Sequence, residues 1–302
     1  MRFILIFALV LFSFSAFADG KFSGYLGAGA ASISTNDNLK TSDNNRDKST
    51  NIFSDNLLLI SGELRYKTDS LIFHIGRPME TPDPSLSAGI TKIFSDESSL
   101  DISAKYIAGS VWENPYLERR TETAETVAGL TARYEGIAGS FAFAEISVMN
   151  HDVEDDDAGE AHDILSRDGT ETGMKLGYSV KKKGKGSVDV YVYYNIDNRD
   201  GDAESSDTFG QGMLFKALTA KKDVFRLGAE TAFREFDASN PYFDKKRNDI
   251  GYRLFASYTF NNVFGSKGKF LSVTGFHASS VSNISFFDTS STGAMMLAGF
   301  RF

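Results

Sequence analysis

Cysteine is absent from the 302 residues, proline occurs 5 times, tryptophan once and histidine 4 times. Without cysteine there are no disulfides, no thiolate-bound zinc and no thiol nucleophile. The histidines, His74, His151, His162 and His277, are scattered, and no G-x-S-x-G elbow accompanies them, so a hydrolase on this scaffold has no recognisable constellation. No apolar run reaches the roughly 20 residues that a membrane-spanning helix needs. A net charge of -8 gives no basic footprint for nucleic acid.

What is present is aromatic and strand-forming: 26 Phe, 12 Tyr, 27 Gly and 41% hydrophobic residues, at a mean hydropathy of -0.23. That balance suits many strands, each with one apolar and one polar face. Met1 to Ala18 reads as a cleaved secretory signal, with Arg2, an apolar run from Phe3 to Phe12, and Ala16-Phe17-Ala18 as the cleavage site. Residues 19–302 are then one exported domain, with no cofactor expected.

Alternating segments recur through that domain, joined in turn by short and long polar connections. The pattern predicts an all-β, antiparallel up-and-down transmembrane β-barrel of about fourteen strands, with twelve or sixteen as the neighbouring counts. Lys67–Ser70, Ser95–Ser99, Glu135–Gly139, Lys181–Gly186, Thr219–Asp223 and Asn261–Lys269 are the short, periplasmic turns. Thr35–Asn56, Trp112–Glu125, His151–Glu171, Asp197–Asp207, Asp237–Asp249 and Ser282–Ser290 are the longer, extracellular loops, and Pro78–Ser85, with three prolines, is short and stiff. An even count returns both termini to the periplasmic side.

Counting back from Phe302, on which the final strand stops, every second residue is apolar: Phe300, Ala298, Met296 and Ala294. The strand resembles the terminal targeting strand of Gram-negative outer-membrane barrels, which implies the outer membrane as location and the barrel assembly machinery as partner. The segment Val111-Trp112-Glu113-Asn114-Pro115-Tyr116-Leu117 is similar to a signature of an uncharacterised family of bacterial outer-membrane barrels, a resemblance that implies a fold and no activity. In layout the chain also resembles the monomeric fourteen-stranded porins.

Alternation assigns the faces. Val190, Val192, Tyr194, Leu227, Phe233 and Leu254 point to lipid. Glu63, Arg65, His74, Asp101, Lys105, Arg133, Glu145, Lys175, Asp189, Tyr191, Tyr193, Arg226, Glu230, Arg234 and Arg253 point to the lumen. A charge turned to the bilayer midplane costs roughly 2–4 kcal/mol, so the register is tightly fixed. His74 and His277 are read as lying inside the wall, one within reach of Ser279 or Ser280. Trp112, Tyr116, Phe260, Phe300 and Phe302 are expected in the aromatic girdles at the membrane interface.

The loops are acidic, most densely from His151 to Glu171. They read chiefly as mobile, solvated segments. Asp155, Asp156 and Asp157 are weak metal candidates, and no EF-hand spacing supports them. The inward charges of both signs predict a water-filled channel for passive diffusion of small polar solutes, with a preference for cations. Outer-membrane lipid and surface glycolipid are the expected surroundings, and a monomer the expected state. The competing readings are a closed surface barrel binding envelope components through its loops and, less well supported, a barrel-borne hydrolase resting on His151 and His162.

Overall fold

The computed structural model describes residues 20–41, 53–77, 85–182, 185–219 and 223–302. The predicted leader, the proline segment 78–84 and the lysines at 183, 221 and 222 lie outside them.

Fourteen strands form one closed ring: β1 (Lys21–Asn36), β2 (Phe53–Lys67), β3 (Leu71–Gly76), β4 (Leu86–Ile93), β5 (Ser99–Trp112), β6 (Glu122–Glu135), β7 (Ala142–Val153), β8 (Gly169–Lys182), β9 (Gly186–Arg199), β10 (Ser206–Leu218), β11 (Val224–Asn240), β12 (Lys245–Asn261), β13 (Lys269–Ser282) and β14 (Thr289–Arg301). Each strand pairs antiparallel with its sequence neighbours, and β1 closes on β14 from Tyr25↔Arg301 to Asn36↔Ser290. Closure pairs each strand on both sides, as a wall immersed in hydrocarbon requires, although beside the short β3 and β4 the ladder reaches only Glu63 of β2 and Tyr106 of β5.

The strands overrun the predicted segments mainly at their outer ends, where Ser, Thr, Asn and Asp continue the ladder above the apolar band. Backbone pairing persists there although the alternation that reveals a strand does not. β11 and β12 run furthest, with a bulge between Glu235 and Ser239.

The outer wall is apolar and open to its surroundings. Leu58 is 93% and Ile60 80% exposed, and Ile102, Leu130, Ile146, Val190, Leu227, Leu254, Val273 and Met296 continue the belt around the ring. So extensive an exposed apolar surface belongs against lipid, since water-facing patches rarely exceed a few hundred Å². Phe260, Phe300 and Phe302 are exposed on this same wall.

Candidate channel lumen and its outer cap

The inner wall is shaped by pairs of one aromatic and one glycine on neighbouring strands. Tyr191 and Tyr193 of β9 stand in register with Gly212 and Gly210 of β10. A Cβ at Gly212 would lie 2.5 Å from the Tyr191 ring, and one at Gly210 2.3 Å from that of Tyr193. Each ring therefore lies flat over the missing side chain and reaches the next strand but one. There Glu230 of β11 accepts from the Tyr191 hydroxyl at 3.0 Å and from Tyr193 at 3.2 Å, while Arg253 of β12 pairs with it at 3.3 Å. Phe255 covers Gly228 in the same way. These aromatics pack along the wall.

Around the ring the inward charges form further groups. Arg133 bridges Glu135 at 2.9 Å and Glu145 at 3.1 Å with its guanidinium 3.8 Å from the Phe143 ring centre, and Lys175 reaches the other oxygen of Glu145 at 3.3 Å. His74 Nε2 lies 3.0 Å from Asp101, which also accepts from Thr91 at 2.6 Å and from Ser103. Arg65 pairs with Glu63 at 3.0 Å, Ser179 donates to Asp189, and Arg234 donates to Thr208 at 3.0 Å. Arg226 is buried, and Lys105 stands opposite Ser87. Between β7–β9 and β11–β12 is a polar cavity of about 250 Å³, bordered by Glu145, Ser147, Lys175, Tyr193, Asn195, Glu230 and Arg253. Residues of β7 and β12 can border one space only from inside the ring.

Above it the loops converge. Tyr116, Ala158, Leu165, Ala203, Ile284 and Phe287 form a buried apolar cluster, joined by Leu39, Ala238, Phe243 and Phe286. Six of the seven outer connections contribute, from strands on all sides, so the cluster has to cross the mouth as a cap. Tyr116 is its hub: it stacks on Tyr242 (4.3 Å between centres, 18° between planes), accepts from Asn240 at 2.8 Å and donates to Glu204 at 3.2 Å. Arg120 donates to the Asn38 carbonyl, and Asn38 to that of Phe286 at 2.8 Å, tying the loops after β1 and β13 to the loop that carries Tyr116. Burial pushes the Glu204 carboxyl above the usual glutamate range against the opposing pull of Arg247 and Arg167, and burial raises the Tyr116 phenol likewise.

The cap corrects several expectations. Trp112 and Tyr116 are 1% and 7% exposed, so neither meets the bilayer. Arg120 lies over the Trp112 ring at 5.3 Å, and Arg167 holds the carbonyls of Trp112 and Glu113 at 2.7 and 2.9 Å, which directs the chain inward over the mouth. The 154–168 loop is folded, with a short helix α1 (Asp157–Ala161) and a fully buried Leu165. Asp156 accepts from the α1 backbone at Gly159 (3.3 Å) and pairs with Arg167 at 2.6 Å, so its carboxylate serves the cap and not a cation. Asp155 and Asp157 belong to no metal-like group among the described residues. His162 packs edge-on to Tyr242, apart from His151. His277 is on the outer wall, bonded to Tyr252 at 2.9 Å and Thr292 at 2.7 Å instead of a neighbouring serine.

A closed ring, an apolar exterior and a charged interior make this chain a transmembrane β-barrel of the outer-membrane type. It belongs to the family described as protein of unknown function (DUF2860), whose model matches residues 21–301. No curated protein matches it. Among solved structures it is similar to a loop L8 deletion mutant of OmpT, an outer membrane protein of Vibrio cholerae, at 8% identity and TM-score 0.43, over 94% of this chain and 100% of that one. It is also similar to the outer membrane channel DcaP of Acinetobacter baumannii, at 11% identity and TM-score 0.44, over 96% and 99% of the two chains. The anion-selective porin of Comamonas acidovorans is a third, at 10% identity and TM-score 0.43, over 94% and 99%.

Proposed function

We propose that the protein is an outer-membrane channel for passive diffusion of small polar solutes, with the loop cap as the gate at its outer mouth. The observation that carries this reading is the solvation of the inner charges. Arg253 remains 52% and Arg65 46% exposed although both face the interior, and a polar cavity lies beside Arg253. Charges in a dry core would be costly unless fully paired, so exposed ones mark a water-accessible interior. The chain works as a monomer embedded in lipid and surface glycolipid. Liposome swelling tests the reading: vesicles carrying the refolded protein swell in small sugars and not in large ones. A second reading, a closed surface barrel, is favoured by the cap, and absence of swelling with correctly folded protein would establish it over the first.

A further inference from the structure

At the outer end of the lumen, beneath the cap, His151 (β7), Glu171 (β8) and Asp197 (β9) bring one ligand atom each within 4.8 Å of one another. Both ring nitrogens of His151 are shut off from solvent, and neither has a hydrogen-bond partner. Glu125 lies 3.6 Å from Nδ1, and Glu171 Oε2 lies 4.0 Å from Nε2. These spacings are too long for hydrogen bonds. The 4.0 Å between Nε2 and Glu171 does suit two ligands sharing one ion at about 2.0–2.2 Å, whose donor atoms stand roughly 3–4 Å apart.

We infer that His151 Nε2, Glu171 and Asp197 form a binding site for a divalent transition-metal ion of the zinc class. Each ligand is oriented by an outer partner, as metal ligands commonly are. Glu125, 3.6 Å from Nδ1, is the carboxylate placed to accept the Nδ1 proton once Nε2 takes the ion. Asn195 donates to Glu171 Oε1 at 2.9 Å and leaves Oε2, the oxygen facing His151, for the ion. Arg199 grips Asp197 at 2.6 and 3.0 Å. Three carboxylates against one guanidinium leave two negative charges, which a divalent cation neutralises. An imidazole ligand selects against calcium and magnesium, which take oxygen. Asn195 also borders the lumen cavity, so the bound ion would sit at its outer edge.

Titration of the refolded full-length barrel in detergent with Zn²⁺, followed by calorimetry, and with Co²⁺, followed by visible absorption, tests the site. One equivalent binds, and Co²⁺ gives the absorption of a nitrogen-and-oxygen-ligated ion. His151→Ala abolishes both signals, Glu125→Gln weakens binding about 10- to 100-fold, and His162→Ala leaves it unchanged. Heat-modifiable gel mobility verifies that every variant is folded. If His151→Ala binds Zn²⁺ as the wild type does, or the folded wild type binds none, the site does not exist.

Discussion

The Tyr191 hydroxyl crosses the whole width of β10 to meet Glu230 at 3.0 Å, and it can do so only because Gly212 lies beneath its ring. That contact couples three strands through a single side chain. Replacing Gly212 with valine would force the ring off the wall and leave the carboxylate with fewer donors. The expected cost is about 1–3 kcal/mol, the usual range for overpacking. Urea unfolding in lipid vesicles measures it, and Tyr191→Ala in the same background should recover part of the loss. An additive double mutant would mean that ring and glycine are not in contact.

Glu230 also contributes to the charge of the lumen, where it pairs with Arg253. Glu230→Ala leaves that guanidinium without its carboxylate partner. Reversal potentials in a salt gradient should show cation preference in the wild type, in keeping with the acidic mouth, and a shift towards anions in the variant. Unchanged selectivity would show that permeating ions do not pass this pair.

The cap carries a pH dependence. Glu204 is packed half-buried in it, facing Tyr116 directly, with Arg247, Arg167 and Arg199 acting on it from neighbouring elements. Because its folded pKa is raised, its contribution to stability is fully present below the ordinary glutamate value of 4.5 and is lost as pH rises through the folded value. Lowering pH from 7.5 towards 5 should tighten the cap, slowing amide exchange in 200–205 and 283–288. Glu204→Gln should abolish that response.

The wall was legible from the chain because lipid enforces period-two alternation in most of its strands, and all fourteen segments form strands, including Leu86–Ile93 and Lys269–Ser282, where the pattern is weak. The cap was not. Its apolar members, such as Ala158, Leu165, Ala203 and Ile284, are single residues in acidic loops with no period, and its key bond joins Tyr116 to Asn240, 124 residues away. His151 was visible as a possible ligand, but β7 continues through it to Val153. It thereby leaves the loop it shares in sequence with His162, and it finds partners on β6, β8 and β9 that no local spacing could reveal.

The gate itself is best probed at its hub. Tyr116→Ala removes the stack on Tyr242 and the bonds to Asn240 and Glu204, at a cost to the cap of about 3–5 kcal/mol if it resembles other buried aromatic truncations. Single-channel recording in planar bilayers should then show rare stepwise openings for the wild type and frequent or sustained ones for Tyr116→Ala. Silence from both proteins, each shown to be folded and inserted, would contradict the account.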